Sequence, residues 1–385
     1  MTNNLQNVSD ICLTLNEPLS VDESISECNY HQYEPVVGTN LNNNSQIRII
    51  IENQDLFYLP HKSFLTIKGT IKKSDNSDLA ATDLCTFVNN GVLYLFDRIE
   101  YQMSDKIIES VNYPGHASLI KGLLSYSNNF DGLNMCYVKD SDNGSSSLTN
   151  NKGFKVRHNK IIERGKGNFS FVIPLSHIFG FCEDYKKVIY GVKHSLILTR
   201  CGDEDACHIN PPATGDTALS VKVNISNITW TMLNIKPSFE QEHILNKIIA
   251  SKNSINIGFL YRNMDQLDVP ISNEFTWRLG PRTASEKPRW IIICFQTNKS
   301  KNNSNSAIFD HCDVRSIHVE LNALRYPNID IINNFANEDY SLSYYFAKQF
   351  KQIIYGTSDD FSISQNDYKT IYPLFVYDVT RQSER

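Results

Sequence analysis

Residues 87–111 read FVNNGVLYLFDRIEYQMSDKIIESV. From Ile99 to Met103, through Glu100, Tyr101 and Gln102, apolar and polar residues alternate. The polar pair Ser104 and Asp105 breaks the run before Lys106, Ile107 and Ile108 begin another. A period of two on either side of a polar pair predicts a β-hairpin. Asn90-Gly91 reaches left-handed backbone angles at low cost, so a tight turn or bulge is expected there. The most strongly patterned stretch of the chain carries no acid, base or metal box of a known type.

The same period recurs on both sides. Ile47, Ile49 and Ile51 share one face, as do Leu65, Ile67 and Ile71 with Gly69 between them. Residues 74–78 read as a turn. Further strands are expected at 168–174 and 187–200. In 219–235, Leu219, Val221, Val223 and Ile225 keep one phase, and Ile228, Trp230 and Met232 keep the other. A slip of one residue between the two sets predicts a β-bulge or a change of buried face. Residues 114–126 switch to helical spacing, with Leu119, Ile120, Leu123 and Leu124 on one face and Pro114 in the first turn. A loop is expected over 128–152.

A connector with a short helix at 240–250 follows, then a second β-series: INIGFLYRN (255–263), NEFTWRLG (273–280), RWIIICFQT (289–297) and VRSIHVELNALRYPN (314–328). The third of these is apolar on both phases and reads as a strand buried on both sides. Residues 339–356 are the clearest helix. Leu342, Phe346, Phe350 and Ile353 line one face, Asp339 or Ser341 can cap the start, and Gly356 can close the end. YPLFVYDVT (372–380) is the last strand. The layout is all-β with short inserted helices. It comprises a polar arm at 1–44, a first sandwich at 45–236, a connector at 237–254 and a second sandwich at 255–385.

Composition agrees with that reading. The 385 residues are 41% apolar, with 20 Phe and 19 Tyr, which suits β-rich packing. The net charge of −5 is no nucleic-acid footprint. A local basic stretch, KGFKVRHNKIIERGK at 152–166, reads as a solvated loop and strand rather than a nucleic-acid contact. Nine scattered cysteines, an odd number, read mostly as reduced, buried apolar groups in an intracellular compartment. The first 20 residues lack the basic start and apolar core of a signal peptide, and no window predicts a membrane-spanning helix.

The runs NQDLFYLPHKSFLTIKGTI (53–71) and FVNNGVLYLFDRIEYQMSDKIIESVNYPG (87–115) resemble double jelly-roll major capsid proteins of Polinton/Maverick-type and adintovirus-like elements. WRLGPRTASEKPRWIIICFQT (277–297), HVELNALRYPN (318–328) and YPLFVYDVTRQSER (372–385) sit where the second roll of that family places comparable strands. The resemblance spans roughly residues 30 to 385 and rests on many weak positions. It implies two eight-stranded jelly rolls side by side, homotrimers of pseudo-hexagonal outline, an icosahedral shell and a place in the virion. It also implies a minor penton-type capsid protein as a further partner. The family pattern calls for more strand sequence after YDVTRQSER, so the second roll is expected to lack closing strands and to present an open edge.

Other functions have thin support in the residues. Cys201, Cys207 and His208 offer soft ligands, but the second tight pair of a zinc site is missing, so a surface loop is expected. Asp310, His311, Cys312 and Asp313 read as a strand-edge loop. His116 and Lys121 read as exposed helix residues. There is no HExxH, no phosphate-binding glycine loop and no GxSxG. No catalytic, metal or cofactor residue is assigned, and no enzyme is expected. The loops 128–152 and 200–217 are expected to face outward or meet neighbours. The alternatives are a carbohydrate-binding β-sandwich and a lattice-forming scaffold or domesticated host copy of a capsid protein.

Overall fold

A computed structural model describes residues 24–42, 45–53, 55–210, 219–279, 287–297, 304–357 and 360–381. Two four-stranded antiparallel sheets make up the first body. One contains β1 (Ile25–Tyr33), β3 (Phe57–Lys73), β7 (Asn168–Pro174) and β10 (Val221–Pro237), in the order β1-β10-β3-β7. The other contains β2 (Gln46–Ile51), β5 (Phe96–Met103), β6 (Lys106–Asn112) and β8 (His194–Arg200), in the order β2-β8-β5-β6. Counted along these eight strands, the first lies beside the eighth, the third beside the sixth, the second beside the seventh and the fourth beside the fifth. That order is the jelly roll, two Greek keys wound together. A short pair, β4 (Cys85–Phe87) and β9 (Cys207–Ile209), accompanies the sandwich.

Alternation places the core. Ile47, Ile49, Ile51, Leu65, Ile67 and Ile71 are all buried between the sheets, each contributing roughly 1.5–3 kcal/mol by leaving water. The hairpin forms as expected: Met103 faces Lys106 across Ser104 and Asp105, both with positive φ, as a two-residue hairpin turn requires. Asn90 is left-handed at φ 63°. In β10 the register shifts between Ile225 and Asn227 against β3, so Ser226 is the extra residue. Val221, Val223 and Ile225 before the bulge, and Ile228, Trp230 and Met232 after it, are therefore all buried. Gly69 lies under this strand, where a Cβ would stand 2.3 Å from the Asn224 carbonyl oxygen.

Several expectations differ from the structure. Residues 25–33, within the stretch read as a polar arm, form β1 at the edge of a sheet. β8 begins at His194 rather than 187. The basic stretch is not a loop and strand: α2 (Lys152–His158) runs on into a π-turn at Asn159–Glu163. Asn151 caps it by accepting the Phe154 N–H at 3.1 Å. The helix α1 (Pro114–Ser125) forms where predicted. The short helices α3 (Leu175–Ile178) and α4 (Gly180–Asp184) follow β7.

The second half is less regular. After the connector helix α5 (Phe239–Ala250), the described residues 255–263 and 273–279 carry no strand. Their alternation is real, but among the described residues no neighbouring strand supplies the hydrogen bonds a ladder needs. β11 (Trp290–Ile293) pairs with β14 (Phe375–Asp378), and β12 (Val319–Leu321) with β13 (Leu324–Tyr326). β11 is half-buried on both phases rather than fully enclosed. The helix α6 (Ser341–Tyr355) packs on β14 and on α1, and α7 (Gln365–Thr370) follows it. Its N-terminus begins at Tyr340 without a side-chain cap, so neither Asp339 nor Ser341 serves; Gly356 closes the other end at φ 71°. The buried face is Ser343, Ala347 and Lys351, while Leu342 and Ile353 are exposed. Small residues permit close approach, and the large ones lie at the flanks. One continuous core joins both halves, running from Ile47 and Trp230 to Tyr372 and Phe375.

Candidate functional site

The sequence's soft-ligand and acid–base candidates are placed as packing and turn residues. Cys207 and His208 are buried on β9, and burial pulls the His208 imidazole down to about 4. Cys201 points elsewhere and donates to the Tyr94 carbonyl at 3.2 Å. Between them Asp203 accepts the Val223 N–H at 2.8 Å and pairs with Arg200. At 309–313, Phe309 is in the core and His311 stacks on Phe335 with ring centres 4.2 Å apart. Asp310 accepts the Cys312 N–H at 2.8 Å, closing a turn. Among the described residues no group of three His, Cys, Asp or Glu is placed to hold a metal ion. No described helix is long and apolar enough to cross a membrane.

His116 and Lys121 are not exposed. His116 is buried and hydrogen-bonds Gln296 at 3.0 Å, across from the second half. Lys121 lies 3.1 Å from Glu183 and over the Tyr126 ring. Burial, and the neighbouring Arg262 cation, pull its ammonium down to about 7. The helix is sandwiched between the roll and α6, which its apolar spacing alone did not reveal.

The structure gathers buried polar groups at two junctions between the halves. In the first, Arg157 on α2 is fully buried and donates to the Phe87 carbonyl at 2.9 Å, to the Val138 carbonyl and to Asp140 at 2.6 Å. The Asp140 carboxylate also accepts from Asn151 at 3.0 Å and Asn305 at 2.9 Å. Its backbone N–H donates to the Tyr372 hydroxyl at 2.9 Å. Asn305 and Tyr372 belong to the second half, so one ion pair fastens a loop and helix of the roll to two later segments. Much of the loop read as outward-facing is therefore internal: Cys136, Tyr137, Asp140 and Ser146 are buried.

In the second junction, Glu109 on β6 is fully buried. It accepts the N–H of Gly180 at 3.1 Å, Phe181 at 2.8 Å and Arg262 at 3.2 Å. Burial lifts its carboxyl above the usual range, and these donors with the Arg262 charge hold it back. Arg262 also donates to the carbonyls of His177 and Ile178, each at 3.2 Å, and pairs with Glu183. The Leu260 N–H donates to Asp184 at 2.8 Å, and the Tyr261 hydroxyl to the Ser110 carbonyl at 3.0 Å. Residues 255–263, expected as a strand, are thus partly a strap held by side chains. No spacing in the sequence announces these partners, since Glu109 and Arg262 are 153 residues apart.

This arrangement can bind two β-bodies together. Around α2, Lys152, Lys155, Arg164 and Lys166 remain exposed, while Arg157 and His158 are internal. Lys160 lies over the Phe171 ring at 5.0 Å.

A search of curated proteins finds no match. Three solved structures are similar to the chain at low identity. The Faustovirus major capsid protein is 12% identical with a TM-score of 0.37, over 63% of this chain and 60% of that one. The mavirus major capsid protein is 13% identical with a TM-score of 0.37, over 69% and 49%. The Sputnik virophage structure is 9% identical with a TM-score of 0.33, over 61% and 53%. The chain thus spans about half to three fifths of the length of these structures. The family described as double jelly roll-like domain matches residues 85–385, well over half of the chain. With two tandem β-bodies, the first wound as a jelly roll, the chain belongs to the double jelly roll-like domain family.

Proposed function

We propose that the chain is a viral-type structural protein, a major capsid subunit of the Polinton/Maverick or adintovirus-like kind. Its copies form pseudo-hexagonal homotrimers that tile an icosahedral shell, in the virion and with no catalytic role. The observation that carries this reading is the pair of buried junctions. A shell subunit must present two rolls at one fixed angle. Arg157–Asp140 and Glu109–Arg262 tie both halves into one core, where a hinged pair of binding modules would keep its linker loose. The residue ranges 45–236 and 255–385 are read as the two rolls, β1 extending the first, with 237–254 between them. Capsid trimers repeat one heterologous contact three times and close.

Negative-stain microscopy of the purified chain tests this. Three-fold particles with a six-sided outline, or shells and flat hexagonal arrays, are expected. Single 44.0 kDa particles under every condition would refute the reading. A glycan array with strong hits from such particles would point instead to a sugar-binding sandwich.

A further inference from the structure

A cavity of about 280 Å³ lies between the last turn of α1, the loop that follows it and α2. Three rings wall it. Tyr126 and Phe130 stack with centres 4.1 Å apart, and Tyr137 stands edge-on to both, at 5.3 and 6.1 Å. Val156, exposed on α2, belongs to the rim, and Ser362 adds a residue of the second half. A space of this size suits one ring or a short alkyl chain.

Two polar groups in the lining have donors to spare. Tyr137 is 4% exposed, and among the described residues its hydroxyl has no hydrogen-bond partner. Its ring lies close over Gly122, where a Cβ would stand 2.6 Å from the hydroxyl oxygen. Gly122 lines the same cavity, which puts the hydroxyl end of the ring at its wall. A buried hydroxyl is rarely left unpaired.

Lys139 is the second group. Its ammonium donates to the Asn128 side-chain oxygen at 3.0 Å and to the Ser362 carbonyl, both uncharged acceptors. Among the described residues no carboxylate forms an ion pair with it, and one of its three N–H donors stays uncommitted. Burial pulls this ammonium below the usual lysine range, while the charges of Asp367 and Asp360 hold it back in part.

An apolar space with spare donors, one of them charged, matches an apolar body that carries an anionic oxygen. Asp131 is the one carboxylate in the lining. It is exposed and accepts the Leu133 N–H at 3.3 Å. The ligand's charge therefore belongs beside Lys139 and away from Asp131.

We infer that this cavity binds a small monocarboxylate with one ring or a short alkyl chain. Its oxygens take the Tyr137 O–H and the free Lys139 N–H, and its apolar body rests among Tyr126, Phe130 and Val156. The site goes beyond the capsid reading and does not depend on it.

Ligand-detected NMR titration of the full chain tests it, with benzoate, benzyl alcohol and benzylamine as probes of like size. Benzoate is expected to bind saturably at low millimolar concentration, benzyl alcohol more weakly and benzylamine not at all. Tyr137→Phe removes only the unpartnered hydroxyl and is expected to weaken benzoate about fivefold. Lys139→Gln is expected to weaken it about tenfold. Val156→Trp, on the exposed rim, should block it while the far-ultraviolet circular dichroism stays that of the parent chain. No saturable benzoate binding would mean that water alone serves the hydroxyl, and overturns the proposal. Benzylamine binding as well as benzoate, or benzoate affinity that survives either Tyr137→Phe or Lys139→Gln, overturns it too.

Discussion

Arg157 and Asp140 meet at 2.6 Å with no exposed surface on either side chain. Both are committed elsewhere too, Arg157 to two backbone carbonyls and Asp140 to the amides of Asn151 and Asn305. An ion pair in this setting adds little against a well-packed apolar pair, but removing one member strands the other charge out of water.

Arg157→Met or Asp140→Leu is therefore expected to cost about 3–5 kcal/mol. Chemical denaturation measures it. Because Asn305 and Tyr372 share the node, fluorescence and hydrogen exchange should report both halves loosening together. A loss under about 1 kcal/mol would mean that water already reaches the pair.

Acid should weaken the fold before the carboxylates titrate. Burial holds His194 and His208 down at about 4, from an ordinary value of 6.5. The unfolded chain takes up these protons first, so the stability they contribute is present above about 6.5 and is lost as the pH falls towards 4. Each contributes up to about 3 kcal/mol over that window. The double variant His194→Gln, His208→Gln is expected to show a flatter stability profile between pH 6.5 and 4. An unchanged slope would show that the rings are charged in the folded state.

The strap should respond to a single methyl group. A Cβ on Gly180 would stand 1.8 Å from the Leu260 carbonyl oxygen. Gly180→Ala is expected to cost about 1–3 kcal/mol and to expose residues 255–262 to proteases. Gly258 lies in the same strap with open space around it, so Gly258→Ala should change neither quantity. Equal effects from the two substitutions would refute the account of how the strap is held.

The first roll was largely legible because its strands obey a simple rule. Wherever one face is buried, as at Ile47–Ile51 or Ile67–Ile71, alternation marks the strand, and even the bulge at Ser226 shows as a change of phase. β1 was hidden because it is exposed on both faces and so carries no alternation. The opposite failure occurred at 255–263, where alternation exists but no strand among the described residues pairs with it. In α6 the large residues suggested the wrong face, since Ser343 and Ala347 set how closely the helix sits and Lys351 is buried through bonds to two carbonyls. The junctions were invisible in the sequence. Their members are ordinary charged residues until the fold brings Asp140 to Asn305, or Glu109 to Arg262.

The central claim is that two welded β-bodies exist to meet copies of themselves. Solution mass, measured by light scattering across a wide concentration range, tests it most directly. A species of about 130 kDa, three chains, or larger closed assemblies are expected. A single 44.0 kDa species at every concentration would contradict the account.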